Sequence, residues 1–151
     1  MITTIQHDLL TLDCDVIAHQ VNCQGVMGAG LAKQIRTRYP NVYEKYCNAC
    51  TRFPATDLLG KIQIITTPNK PKIANLFAQQ YYGRDRKHTS YDALRMCFIK
   101  LRDYALTNNL TTIGLPYGIG CGLAGGDWKI VTRLIEDIFK PSKLTVYICK
   151  L

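Results

Sequence analysis

An apolar strand that runs into a glycine-rich turn constrains this chain more than any other stretch. The run Val16–Ala18 leads into polar residues 19–22, three glycines follow between positions 25 and 30, and a helical pattern opens at Leu31. Glycine tolerates positive φ and lets the backbone approach a ligand closely, while the first turn of a helix offers unpaired N–H groups. The stretch therefore predicts either an anion-binding cradle or a purely structural strand-to-helix turn.

Strand-length apolar runs alternate with helical patterns along the rest of the chain. Strands are predicted at residues 2–10, 16–21, 62–66, 73–78, 112–115 and 144–149. Helices are predicted at 30–39, in a short segment opened by an Asn41-to-Glu44 capping box, at 90–106 and at 128–139, and residues 53–60 are predicted to be a loop. This order predicts an α/β fold with a largely parallel sheet. The 151 residues suffice for one domain and are too few for two.

A second glycine-rich loop, Gly118–Gly126, follows the fifth predicted strand. In parallel sheets, ligands bind beyond the carboxyl ends of strands, so the two loops can converge on one ligand. Neither loop ends in the Gly-Lys-Ser/Thr of a P-loop, and neither carries the dinucleotide fingerprint of a dehydrogenase at the right point of the chain. Two sets of backbone donors suit a diphosphate, or a phosphate flanked by sugars.

The formal net charge of +8 favours partners that are polyanionic or phosphorylated. Basic residues are spread along the chain, with small clusters at 70–72 and 84–88, and no aromatic-interleaved RNA-binding signature is present. We therefore predict a small phosphate-bearing ligand in preference to nucleic acid, and a basic RNA-associated protein is the alternative interpretation.

Seven cysteines lie mostly within apolar runs, which is typical of reduced, buried thiols in a cytoplasmic protein. Cys47 and Cys50 form a lone C-x-x-C pair without a second pair of ligands downstream, so no metal site is expected. No apolar run reaches membrane-spanning length, and the first residues lack a basic, apolar signal segment. We expect a cytoplasmic chain without a membrane partner.

Four motifs resemble those of the macrodomain family, whose members bind ADP-ribose. They are Asp8-Leu9, Ala18–Asn22, Gly28–Ala32 and Gly118–Leu123. Four further segments resemble the branch of ADP-ribose 1″-phosphate phosphatases and terminal ADP-ribose protein glycohydrolases: His19-x-x-Asn22, Arg38–Pro40, Leu59–Lys61 and Thr145–Tyr147. The resemblance spans residues 1–151 and implies a single domain with a three-layer α/β/α fold and a mixed sheet of about six strands.

The resemblance also implies which residues bind the ligand. Asp8 would accept a hydrogen bond from the adenine amino group with Leu9 beside it, although a loop-capping Asp is the structural alternative. Asn22 would hold the distal ribose, or else satisfy the loop backbone. Gly28, Ala29 and Gly30 would contact the distal ribose and its 1″ substituent. The N–H groups of residues 118–122 would bind the diphosphate. The ligand-binding residues of this loop would be Tyr117, Gly118, Ile119, Gly120, Cys121, Gly122 and Leu123.

Catalytic roles are implied for His19, Asn22 and Asp127. An imidazole at position 19 could relay a proton or orient water, and its alternative is a buried strand histidine bonded to a neighbouring carbonyl. Asp127 could act as a general base or as a helix N-cap. The lysine with which glycohydrolase members form an adduct is missing from residues 76–86, and Ala124 stands where their aspartate aligns.

The function that the resemblance implies is hydrolysis of an ADP-ribose derivative, with ADP-ribose 1″-phosphate as the favoured substrate. The alternatives are a non-catalytic reader of ADP-ribose or of ADP-ribosylated proteins, and a mono-ADP-ribosyl protein hydrolase. No cofactor is expected.

Overall fold

The computed structural model describes residues 1–83 and 87–151, so Arg84, Asp85 and Arg86 of the predicted basic cluster lie outside the described residues. Its strands are β1 (Ile2–Gln6), β2 (Val16–Val21), β3 (Ile62–Ile65), β4 (Lys72–Phe77), β5 (Thr112–Pro116) and β6 (Thr145–Lys150). Its helices are α1 (Gly30–Arg38), α2 (Pro40–Arg52), α3 (Ala55–Leu58), α4 (Tyr91–Thr107) and α5 (Trp128–Phe139).

The six strands form one mixed sheet in the order β1-β6-β5-β2-β4-β3. All neighbouring pairs are parallel except β3 with β4, which is antiparallel. One face of the sheet packs on α4 and α5 through residues such as Phe98 and Val131. The other face packs on α1 and α2 through Ile35 and Tyr46. The predicted three-layer α/β/α fold with a largely parallel sheet is confirmed.

The strand order reverses between β5 and β2. From β2 the chain passes through α1 and α2 to β3 and β4 on one side of the sheet, whereas from β5 it passes through α5 to β6 on the other. The two connections leave from opposite faces and separate, which opens a crevice at the carboxyl ends of these strands. Both predicted glycine-rich loops therefore begin at the same crevice.

The first strand is shorter than the sequence predicted. It ends at Gln6 rather than at position 10, because Asp8 caps a 3₁₀ turn at Leu9–Thr11. The Asp8 carboxylate accepts a hydrogen bond from Leu10 N at 3.0 Å, which turns the chain away from the sheet. The apolar side chain of Leu9 is buried beneath this turn and not in a strand pair.

The second helix is longer than predicted, and the predicted capping box does not form. Helix α2 begins at Pro40 and has 13 residues, and its N-cap residue, Tyr39, makes no side-chain capping bond. Proline suits this first helical position because its missing N–H would have no intrahelical partner there. The segment predicted as a loop, 53–60, also contains the one-turn helix α3.

Among the described residues, no helix has both the length and the apolar character that crossing a membrane requires. All seven cysteines are free, and four of them are buried.

The close approach of β5 to the 3₁₀ turn gives a test of this packing. A Cβ added at Gly114 would lie 2.8 Å from Leu9 Cδ1 and 3.1 Å from Leu12 Cδ2, both of them buried or partly buried core atoms. Gly114→Ala should therefore lower the free energy of unfolding by about 1–3 kcal/mol, measured by urea denaturation. Gly122→Ala is the matched control, since nothing lies within 4 Å of its added Cβ. Equal stability of the two variants would contradict this packing.

Candidate functional site

The reversal of strand order leaves a crevice of about 650 Å³ at the carboxyl ends of β2 and β5, within the range of small-molecule sites. Two walls come from the predicted glycine-rich segments, and a third comes from the segment after β4. The lining residues are His19, Gln20, Val21, Asn22, Val26, Gly28, Ala29, Gly30, Leu31, Ala32, Gln79, Tyr82, Gly83, Pro116, Tyr117, Gly118, Ile119, Gly120, Gly122, Leu123 and Ala124. In the part of the chain that the structure describes, this lining contains no Lys, Arg, Asp or Glu.

In the loop after β5, N–H groups that donate within the loop alternate with N–H groups that do not. Ile119 N and Cys121 N donate back to Pro116 O and Gly118 O, at 3.1 and 2.8 Å. The N–H groups of Gly118 and Gly120 find no acceptor among residues 1–83 and 87–151. Both glycines have φ near +76°, in the left-handed region. Such alternation of backbone conformation directs successive N–H groups into one concavity and makes an anion-binding nest.

The opposite wall is the N-terminus of α1. Its N-cap residue, Ala29, has no side chain that can cap the helix, and the first turn carries no acidic residue. The first N–H groups of the helix are therefore left without an intrahelical acceptor. Their dipoles favour a negative charge in the crevice.

Asn22 ends β2 and organises the loop that follows. Its Oδ1 accepts hydrogen bonds from Gln24 N at 2.9 Å and from the Tyr46 hydroxyl at 2.6 Å, while its Nδ2 donates to Val26 O at 2.7 Å. The residue is 6% exposed. The Asn22 amide therefore makes hydrogen bonds with the loop backbone, as its structural alternative predicted. The residue also lines the crevice.

His19 is held by a chain of side-chain hydrogen bonds that fixes its tautomer. Gln63 Nε2 donates to Lys45 O at 3.0 Å, so Gln63 Oε1 is the acceptor for Asn75 Nδ2, also at 3.0 Å. The remaining atom, Asn75 Oδ1, must then accept from His19 Nε2–H at 2.6 Å. The lone pair of the imidazole is left on Nδ1, which is buried and has no hydrogen-bond partner among the described residues.

Burial lowers the pKa of His19 to about 4, and the bond to Asn75 opposes this shift only in part. His19 is therefore neutral at pH 7. A base with so low a pKa has little driving force to take up a proton, so the side chain is better suited to orienting water than to relaying a proton.

A second network ties the crevice walls together on the other face of β2. Gln20 Nε2 donates to Gln79 Oε1 and to Thr89 Oγ1, at 2.8 and 2.9 Å, and Thr89 Oγ1 donates to Gly120 O at 2.6 Å. Gln20 Oε1 is buried without a partner among the described residues. It lies 2.8 Å from where a Cβ on Gly120 would be, so glycine at position 120 leaves room for this side chain.

The structure brings most of the predicted site residues together in the crevice. Those that line it are His19, Asn22, Gly28, Ala29, Gly30, Tyr117, Gly118, Ile119, Gly120, Gly122 and Leu123. Four others, Asp8, Leu9, Cys121 and Asp127, lie outside the lining. The Cys121 thiol donates to Ile119 O at 3.4 Å, and burial raises its pKa to about 11.

Asp8 and Asp127 each cap a helical segment. Asp127 Oδ1 accepts from Lys129 N at 2.9 Å at the start of α5, which is the helix-capping alternative to a general base. Asp8 follows the carboxyl end of β1, at the same edge of the sheet as the crevice, and its exposed carboxylate caps the 3₁₀ turn.

Sequence reasoning did not identify the residues that support the site, above all Tyr46, Gln63, Asn75 and Thr89. Asn75 gave a usable signal in the sequence, since it interrupts the otherwise apolar predicted strand 73–78. The structure shows that it is fully buried. The others are ordinary polar residues on a helix, a strand and a loop, and nothing in their spacing distinguishes them.

The model of the Macro domain family matches residues 18–135 of this chain, a span that contains the whole crevice lining. The chain belongs to this family.

Proteins of known sequence and structure resemble this macrodomain over most of its length. A DNA ADP-ribosyl glycohydrolase of Mycobacterium tuberculosis is 32% identical over 144 residues, which cover 93% of this chain and 39% of that protein. The macrodomain thus spans about two fifths of that relative. An ADP-ribose 1″-phosphate phosphatase of Saccharomyces cerevisiae is 25% identical and is matched over 88% of its length, by 87% of this chain. The macrodomain of Mycobacterium tuberculosis DarG superposes with a TM-score of 0.84 at 27% identity, over 100% of this chain and 98% of that one.

The buried, neutral His19 makes stability depend on pH in a defined window. Its pKa is about 4 in the folded macrodomain and about 6.5 in the unfolded chain, so only the unfolded state takes up this proton between those values. Stability should therefore fall as the pH falls from 6.5 to 4, by on the order of 3 kcal/mol from this group. Urea denaturation at several pH values should show a flatter dependence for His19→Gln. Parallel curves at equal m-values would contradict the assignment.

Proposed function

We propose that the crevice binds ADP-ribose and that the macrodomain hydrolyses ADP-ribose 1″-phosphate to ADP-ribose and inorganic phosphate. The observation that carries the proposal is the pair of facing backbone donor sets, at the start of α1 and in the loop after β5, in one crevice whose described lining is uncharged. A diphosphate has anionic oxygens on both sides, so it can use both sets of donors at once. A ligand with one phosphate would use only one.

Binding through backbone dipoles is consistent with the position of the charged side chains, which lie outside the described crevice lining. The lysines and arginines that give the chain its net charge of +8 lie outside the described crevice lining, so they can attract an anion without forming an ion pair with it. Oriented N–H groups hold phosphate oxygens without a metal ion. The amide of Asn22 would contact the distal ribose, next to the 1″ substituent at Gly28–Gly30.

Hydrolysis in this site would proceed with water as the nucleophile. No lysine lines the described crevice, and the segment after β4 presents Gln79 and Tyr82 instead. A covalent lysine adduct is therefore not part of the proposal. Similarity to the yeast ADP-ribose 1″-phosphate phosphatase, at 25% identity, supports the phosphatase substrate.

His19 is proposed to orient the attacking water through the lone pair of Nδ1. Because only 2% of the residue is exposed, this role requires Nδ1 to become accessible when the distal ribose occupies the crevice. The hydrogen-bond chain to Asn75 keeps the acceptor on Nδ1 and not on Nε2.

A second candidate function is the removal of ADP-ribose from DNA. It is favoured by the 32% identity to the mycobacterial DNA ADP-ribosyl glycohydrolase and by the net charge of +8, which would attract a nucleic acid. The ADP-ribose part would occupy the same crevice, and the DNA would lie outside it.

A substrate panel tests the proposal. Purified macrodomain should release phosphate from ADP-ribose 1″-phosphate and bind ADP-ribose in isothermal titration. His19→Gln keeps a donor for Asn75, so we expect it to retain affinity for ADP-ribose within about twofold while losing about 10²-fold or more in turnover.

The other substrates in the panel separate the alternatives. Release of ADP-ribose from modified DNA or from modified protein, without phosphate release, would replace the phosphatase with a glycohydrolase. Binding without any turnover would leave a reader of ADP-ribose. Full turnover by His19→Gln would assign His19 a structural role only.

A further inference from the structure

We propose that Tyr46 is a positioning residue that sets recognition of the distal ribose through Asn22. The inference rests on the proposed binding of ADP-ribose in the crevice. Tyr46 lies on α2, is fully buried and does not line the crevice, so it can act on a ligand only through another residue.

The hydroxyl of Tyr46 touches Asn22 twice. It lies 2.6 Å from Asn22 Oδ1 and 2.7 Å from Asn22 O, so its single proton is shared between two acceptors on the same residue. Burial raises the pKa of Tyr46 well above its usual range, so the hydroxyl keeps this proton at every working pH. Tyr46 is therefore a permanent donor to Asn22.

The position of the Tyr46 ring is fixed by the core. The ring stacks on Phe77 at the end of β4, with centroids 5.9 Å apart and an angle of 28° between the planes. A tyrosine ring has few rotatable bonds, and this one is fully buried in the cluster around α1 and α2. The hydroxyl is thus held at one point relative to the sheet.

These contacts decide which atoms of the Asn22 amide remain for a ligand. Oδ1 is occupied by Tyr46 and by Gln24 N, and one N–H of Nδ2 donates to Val26 O. The second N–H of Nδ2 has no acceptor among the described residues. Asn22 therefore offers the crevice one directed donor, which suits an oxygen of a sugar that lies beyond the diphosphate.

A comparison of two ligands isolates this role. ADP has the adenosine and the diphosphate of ADP-ribose but lacks the distal ribose. Tyr46→Phe should weaken ADP-ribose about three- to tenfold in isothermal titration, the range expected for one hydrogen bond, and leave the affinity for ADP unchanged. Unchanged ADP binding also shows that the variant is folded.

The matched control is Tyr43→Phe. Tyr43 lies one turn earlier on the same helix and packs on the same core, but it makes no contact with Asn22. It should bind both ligands as the wild type does. In addition, Asn22→Ala should remove most of the effect of Tyr46→Phe, because two residues that act through one contact are not additive.

Different results would overturn the proposed role of Tyr46 and the proposed function. Tyr46 does not act on the distal ribose if the wild type binds ADP-ribose and Tyr46→Phe binds it equally well. The same holds if the substitution weakens the affinity for ADP as much as the affinity for ADP-ribose. If the wild type binds neither ligand, the proposed function fails and the role of Tyr46 fails with it.

Discussion

Parallel pairing of β2 with β5 is the constraint on which the rest of this macrodomain depends. Val16 pairs with Ile113 and Ile17 with Gly114, so the two strands run side by side and end at the same edge of the sheet. Their connections then leave toward opposite faces. The loop after each strand leads the chain to a different face, and the N–H groups of Gly118 and Gly120 in the loop after β5 find no acceptor among the described residues. The crevice is thus a consequence of strand order.

An anion site without charged side chains needs rigid walls, because oriented dipoles bind only where they are held in place. Two networks supply that rigidity from opposite faces of β2. On one face, α2 reaches Asn22 through the Tyr46 hydroxyl and His19 through Gln63 and Asn75. On the other face, Gln20 and Thr89 fix the carbonyl of Gly120. The hydrogen bonds in each network hold these side chains in one arrangement, although His19 Nδ1 and Gln20 Oε1 have no partner among the described residues.

The order and type of the main elements could be predicted from the sequence more accurately than their ends. Strand-length apolar runs that alternate with helical patterns predicted six strands and a largely parallel sheet, because central strands such as β2 and β4 are buried on both faces. The predicted end of β1 and the predicted start of α2 were wrong, because each is decided by one residue. The Asp8 carboxylate accepts a hydrogen bond from Leu10 N and ends β1, and Pro40, which has no N–H, begins α2. Local effects of this kind move the end of an element without changing the apolar pattern from which the element is predicted.

Some parts of the site could likewise be predicted from the sequence, and others could not. The glycine-rich loops and the polar end of β2 could be identified because their residue types are demanded by backbone conformation. Tyr46, Gln63 and Thr89 could not, because their partners are distant in sequence and only the folded sheet brings them together. The state of His19 depends on that same assembly, since its tautomer is set by a carbonyl on α2.

A crystal structure with ADP-ribose tests the central claim most directly. The diphosphate should lie between the first turn of α1 and the loop 118–122, within hydrogen-bond distance of backbone N–H groups from both, with the distal ribose beside Asn22. A diphosphate held by lysine or arginine side chains elsewhere on the surface, with the crevice empty, would contradict it.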